Sequence, residues 1–271
     1  MLKRLRLYIL LFLAAALLIT AVLGPLLAPS DPYTLHLRNT NRPPSRTHIM
    51  GTDSLGRDIF SRFLHGARNS LALTTAMTLA VSLIGSVIGM ASGYIGGFVN
   101  TVTMQIADSL LAFPAFVFAV AVAGILRPSI YHTVLALGII SWAKYARLTN
   151  GLVEEIRRSN YITQAKLGGA RIPRLIAKYI MPNTLPYIVI MTTLDIGEMM
   201  ITISTLSFIG LINPPPAPEW GNMIAESRNA MLLHPYKLFY PSLAIVFTVI
   251  VFNLLGDSLR DFLDPKDKGS S

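Results

Sequence analysis

The sequence predicts an all-α membrane protein with six transmembrane helices and with its N- and C-termini in the cytoplasm. Three observations carry that reading. Hydrophobic residues make up 52% of the 271 and charged residues only 14%, where a soluble domain carries roughly a quarter charged. Apolar runs long enough to cross a bilayer recur along the chain. Basic residues also gather on segments that an inside-positive topology assigns to the cytoplasm.

Taken in order, Lys3, Arg4 and Arg6 precede an apolar stretch from about Leu7 to Leu27. The stretch exceeds the roughly 7–15 apolar residues of a signal peptide, and no small-residue cleavage pattern follows it. It is read as the first span, with its N-terminus inside. Residues 28–69 then form a loop marked by Pro29, Pro32, Pro43 and Pro44. The loop closes on the turn-rich run Gly51-Thr52-Asp53-Ser54-Leu55-Gly56-Arg57-Asp58. An amphipathic helix lying at the interface is expected after it, with Phe60, Phe63 and Leu64 at helical spacing among Arg57, Arg62 and Arg68.

Further spans are expected at about Leu71–Tyr94, Val102–Leu126, Tyr131–Leu148, Thr184–Leu211 and Phe239–Leu255. Gly96-Gly97 turns the chain after the second, and the third contains Asp108 and Pro114. The run Asn213-Pro214-Pro215-Pro216-Ala217-Pro218 breaks the chain after the fifth. An external helix near Trp220–Leu233 follows, either touching a substrate-binding protein or plugging the external mouth, or else anchored in the aromatic belt through Trp220. By domain, residues 1–69 hold the first helix and external loop, 70–260 the main transmembrane unit, and 261–271 a cytoplasmic tail.

This topology places 149–182 inside, where Arg157, Arg158, Lys166, Arg171, Arg174 and Lys178 outnumber Glu154 and Glu155. The first external loop opposes the rule, since it holds Arg38, Arg42, Arg46, Arg57, Arg62 and Arg68. Within the inner loop, one helix is expected to end at Gly168-Gly169, where a positive φ is cheap. A second begins near Pro173 and stops at Pro182. Tyr161, Ala165, Leu167 and Ala170 then form a small apolar knob that wants a partner.

The net charge of +9 fits cytoplasmic anchoring and anionic headgroups in the lipid bilayer, and no basic patch suited to nucleic acid is present. The chain contains no cysteine, which excludes disulfides and thiolate sites. It also lacks H-E-x-x-H, G-x-S-x-G and G-x-x-x-x-G-K-[ST], so neither a metalloprotease, nor a serine hydrolase, nor a nucleotide-binding subunit is indicated. A stand-alone secondary transporter would want internal repeats, and none is convincing.

Asp195 and Glu198, one helical turn apart, are candidates to line a cation-attracting path or to brace helices at a dimer interface. Met199 and Asp108 are further candidates for that path. His36, His48, His65, His132 and His234 show no i, i+3 or i+4 pairing, so no dedicated metal site is expected.

Several segments together resemble a known family. Tyr161, Thr163-Gln164-Ala165-Lys166-Leu167-Gly168-Gly169-Ala170 and Pro182, with Gly169 thirteen positions before Pro182, resemble the EAA loop of type I ABC importer permeases. Thr163-Gln164-Ala165 replaces the family's Glu-Ala-Ala. Gly51–Asp58, Ala107-Asp108, Ala112-Phe113-Pro114, Leu206–Gly210, Glu219-Trp220-Gly221, Phe252–Asp257 and Asp264-Pro265 resemble the dipeptide, oligopeptide and nickel group. Leu194–Met200 and Ser141–Arg147 look most like the nickel permease C subunit.

The resemblance implies a non-catalytic permease subunit in a prokaryotic inner membrane, moving nickel or a metal chelate by alternating access. Import of dipeptides or oligopeptides is the alternative. It further implies a homologous second permease, two ATPase subunits that use ATP and Mg, and an extracytoplasmic substrate-binding protein. The 160–182 loop would dock on the ATPase, and the chain itself would bind no cofactor.

Overall fold

Small residues set the closest helix contact. Helix α2 (Ile59–Ile95) and helix α5 (Ile130–Arg157) cross where Gly85 and Gly89 leave no room for a side chain. A Cβ on Gly85 would lie 2.3 Å from the Trp142 carbonyl oxygen, and one on Gly89 would lie 2.2 Å from that of Ala146. In a bilayer, where no hydrophobic force drives helices together, such approach maximises dispersion contact.

The computed structural model describes residues 2–212 and 216–263. Apart from an isolated bridge between Thr52 and Asp58, the regular structure among these residues is helical. Asn213, Pro214, Pro215 and the tail from Asp264, including the Asp264-Pro265 pair, lie outside them. Helix α1 (Leu2–Leu23) packs Leu7, Leu10 and Ala14 against Ile196, Val251, Phe252 and Leu255 and turns its other faces outward. A 3₁₀ turn at Gly24–Leu27 replaces the last turn of the expected first span, consistent with Pro25 inside it.

The interfacial helix expected before the second span is a correction: those residues are the first turns of α2. Asp58 caps it, accepting from the Ser61 amide at 2.8 Å and the Ser61 hydroxyl at 2.9 Å. Arg57 and Arg62 do not face headgroups, being only 2% and 1% exposed. Helix α2 ends at Gly96 and Gly97, whose φ angles of 74° and 56° suit glycine.

The third expected span is likewise not one helix. Helix α3 (Gly97–Leu111) and helix α4 (Ala115–Leu126) meet at 80°. Pro114, lacking an amide hydrogen, stands at the break as N-cap of α4.

Past α5 come the short helices α6 (Asn160–Leu167) and α7 (Ile172–Leu175), a π-helical turn at Ile176–Ile180, and α8 (Met181–Phe208). Pro182 was expected to end a helix, and it does not. Residues Ile172–Phe208 form one helical run of 37 residues. Pro182 falls in the first turn of α8, and the π turn before it, closed by the Met181 amide on the Ile176 carbonyl, relieves the clash a proline ring makes with the carbonyl four residues back.

Helix α9 (Trp220–Ser227) and helix α10 (Tyr236–Leu263) complete the bundle. Trp220 is no belt anchor. It is buried, stacked on Phe63 with ring centroids 5.7 Å apart, and its indole donates to the Phe63 carbonyl at 3.1 Å. Among the described residues, four helices are long and apolar enough to cross a membrane, or five if α3 and α4 count as one broken span. Helix α5, the fourth expected span, reaches Arg157 rather than Leu148 and does not meet that apolar criterion.

Replacing Gly89 with valine should cost on the order of 1–3 kcal/mol through overpacking and lower the melting temperature of the detergent-purified protein. Gly151→Ala is the control, because a Cβ there meets nothing within 4 Å. Equal melting temperatures for both variants would contradict close α2–α5 packing.

Candidate functional site: an exposed hairpin and a buried ion network

The hairpin is built by a Schellman ending. Gly169 takes φ +77°, the Ala170 amide donates to the Ala165 carbonyl at 3.0 Å, and the Gly169 amide donates to that of Lys166 at 3.0 Å. Ile162 is fully buried and anchors α6. Two aromatic contacts hold its flanks. The Lys166 ammonium sits 5.6 Å from the Tyr94 ring centroid, and the rings of Tyr161 and Tyr179 are 6.2 Å apart.

What remains outward is a knob. Tyr161, Thr163, Gln164, Lys166, Gly168 and Gly169 are exposed, Leu167 is 85% exposed, and Ala165 and Ala170 are half-buried. Pro182 is exposed at the start of α8. Behind the knob, Asn150 donates to Asn100 at 2.6 Å and to Ser92 at 2.9 Å, and Asn100 donates to Glu154 at 2.6 Å. This chain of amides ties α2, α3 and α5 at one end of the bundle.

Farther along α8, Asp195 and Glu198 part company. Asp195 is 5% exposed, accepting from Lys144 Nζ at 2.5 Å and from the Tyr145 hydroxyl at 2.6 Å. Glu198 is 73% exposed and 3.3 Å from the same ammonium. The two carboxylates do not share one environment: the first braces α8 against α5, and the second faces out. Met199 packs among Met77, Ile203 and Leu206 and also lines the cavity beside Glu198. Asp108 pairs with Arg147, linking α3 to α5, and both are about half exposed.

A cavity of about 160 Å³ opens beside this network, walled by Leu111, Phe113, Ile140, Lys144, Glu198 and Thr202. Among the described residues, no group of three or more His, Cys, Asp or Glu side chains could hold a metal ion.

A second ion cluster lies at the other end. Arg57 donates to Asp53 at 2.6 Å and to Glu226 at 2.7 Å, and Arg62 donates to Glu226 at 2.9 Å. Burial pushes the Glu226 carboxyl above the usual range, while Arg62 and Arg57 pull it back down. Glu219 caps α9 by accepting from the Gly221 and Asn222 amides and from Ser70.

Sequence reasoning missed Lys144, Tyr145 and Arg147 as partners. The signal available was a lysine inside an otherwise apolar run, which at that depth demands a counter-ion. It also missed Glu226, because nothing local in the sequence pairs it with residues some 160 positions earlier.

Residues 85–268 match the family described as "Binding-protein-dependent transport system inner membrane component". The chain belongs to that family. It is a multi-pass permease subunit of an ABC importer, and ATP hydrolysis belongs to a partner ATPase.

Among similar proteins, the glutathione transport system permease protein GsiD of Escherichia coli O1:K1 / APEC is 41% identical over 254 residues. That match covers 93% of this chain and 84% of that one. GsiD of Shigella flexneri serotype 5b (strain 8401) is 43% identical with the same coverage. In fold, the chain is similar to one from the MetNI methionine ABC transporter in an inward-facing form. The TM-score is 0.53 at 17% identity, over 72% of this chain and 95% of the other, a likeness of fold alone. These sequence relatives are named for glutathione, so they lend the nickel expectation no support and stand nearer the peptide alternative.

Lys144→Met should cost about 3–5 kcal/mol, since it leaves a buried carboxylate without its counter-ion. Adding Asp195→Asn should recover most of that loss in melting temperature. Strictly additive losses would contradict the pairing.

Proposed function

We propose that this subunit imports small peptides of the glutathione kind by alternating access, driven through its 160–182 hairpin by a separate ATPase. A homologous second permease completes the pathway, and an extracytoplasmic binding protein delivers the cargo. The termini and the hairpin face the cytoplasm in a six-span arrangement. ATP and Mg²⁺ are used by the partner subunits.

The observation that carries the reading is the continuity of Ile172–Phe208. One helical run, roughly 55 Å long at 1.5 Å per residue, starts at the second arm of the hairpin and carries Asp195 and Glu198. A push on the knob crosses the hydrogen-bonded Gly168-Gly169 turn and enters this run at Ile172, from which it reaches mid-bundle along one helical element. The Schellman turn presents Leu167 for insertion into a groove on the ATPase. Cargo is assigned from the glutathione relatives together with the lack of a metal-binding cluster among the described residues.

Leu167→Asp changes an exposed position, so insertion and folding should stay normal while ATP-driven uptake falls by about tenfold or more, as loss of a buried interface anchor implies. Gly169→Val should do the same, because a β-branched residue at positive φ is strained. Wild-type uptake in both variants, at equal membrane levels, would overturn the coupling role. In cells expressing the whole importer, radiolabelled glutathione should accumulate and ⁶³Ni²⁺ should not. The reverse pattern would restore the nickel reading.

A further inference from the structure

We propose that the cavity at the α3–α4 break is an ammonium-binding station on the transport path, with Glu198 as its anionic ligand. The inference rests on the peptide-import reading above and names the chemical group that the path would recognise.

Position comes first. Glu198 lies about 15 Å along α8 from its end at Phe208, counting 1.5 Å per residue. That is near the middle of a hydrocarbon core of about 30 Å. The broken pair α3–α4, bent by 80° at Ala112–Pro114, supplies the cavity wall through Leu111 and Phe113. Interrupted helices at mid-membrane are tolerated where they line a cavity, and transporters place cargo there.

Charge comes second. Every ionisable group around the cavity has a partner, yet the sum is not zero. Asp108 and Arg147 cancel. Lys144 supplies one positive charge against the two carboxylates of Asp195 and Glu198, and the Tyr145 hydroxyl donating to Asp195 is neutral. The closer contact, 2.5 Å against 3.3 Å, commits Lys144 to Asp195. The uncompensated negative charge therefore resides on Glu198, the exposed member of the set. Glu198 shares the Lys144 ammonium with Asp195 at 3.3 Å and is only partly neutralised, so an arriving cation completes its pairing.

The kind of cation follows from the donor set. A divalent metal wants several oxygen or imidazole ligands, and Glu198 offers one carboxylate beside a fixed ammonium. A primary ammonium needs only one charged acceptor and a few neutral ones. The Thr202 hydroxyl spends its proton on the Glu198 carbonyl at 3.0 Å, which leaves its oxygen free to accept. Leu111, Phe113 and Ile140 provide apolar walls for the carbon next to the amine.

The test uses the detergent-purified complex of permeases and ATPase, without binding protein, so that receptor selectivity does not enter. The probe is glycyl-leucinamide, which has a free ammonium and no carboxylate, and the control is its N-acetyl form. Millimolar glycyl-leucinamide should raise the wild-type melting temperature by ligand linkage, and the N-acetyl form should not. Glu198→Gln should weaken the response about tenfold, the effect of losing one charge-assisted hydrogen bond, and Glu198→Asp should retain it. Both variants keep Asp195 as the nearer partner of Lys144, at 2.5 Å, and equal melting temperatures of the unliganded variants and wild type check that this pair is intact.

The proposal is overturned if the wild type shows no shift, if the N-acetyl form works equally, or if Glu198→Gln responds as the wild type does. A shift produced instead by nickel chloride and lost in Glu198→Gln would replace the ammonium with a metal. Peptide import itself is judged separately, by glutathione uptake in cells expressing the wild-type importer. That reading can therefore fail or stand independently of the station.

Discussion

The bundle turns on one ammonium at the contact of α5 and α8. Lys144 on α5 neutralises Asp195 on α8, and Tyr145 completes the carboxylate's hydrogen bonds. A charge buried between helices is tolerated only when paired, so this contact sets how α8 is rotated about its axis. With Asp195 turned inward, Glu198 three residues on is left facing out. The same helical run begins at Ile172, the second arm of the hairpin, so the geometry that satisfies a buried charge also sets the element on which the exposed carboxylate and the base of the hairpin both lie.

A comparable arrangement orders the opposite end. Arg57 and Arg62 close on Asp53 and Glu226, drawing α9 and the 28–58 loop onto α2. This accounts for part of the arginine excess that opposed the charge bias. Two of those six arginines are spent inside the protein and do not act as surface charge. Arg38, Arg42, Arg46 and Arg68 remain exposed.

Much of this architecture was legible in the sequence. The helical class, four of the six expected spans, the Gly168-Gly169 turn and the exposed knob follow from local rules of hydropathy and capping. What escaped was non-local or depended on compensation. Pro182 reads as a stop by its chemistry, yet a π turn absorbs it. Pro114 falls inside a single expected third span, and the chain turns through 80° there. Asp195 and Glu198 look equivalent on a helical wheel, and only the position of Lys144 on another helix separates them. Met199, a candidate for the path, packs toward α2 and also reaches the cavity beside Glu198. The helical pattern over Phe60–Leu64 was correct, but what covers that face comes from α9, far away in sequence.

The central claim is that the hairpin faces the cytoplasm and meets a nucleotide-hydrolysing partner there. The chain has no cysteine, so a single Lys166→Cys substitution gives one reactive thiol on the knob. Reaction with a membrane-impermeant maleimide should fail in intact, outer-membrane-permeabilised cells and proceed in inverted vesicles stripped of the ATPase. Restoring the ATPase should then protect the thiol. Labelling from the outside of intact cells, or labelling indifferent to the ATPase, would contradict the account.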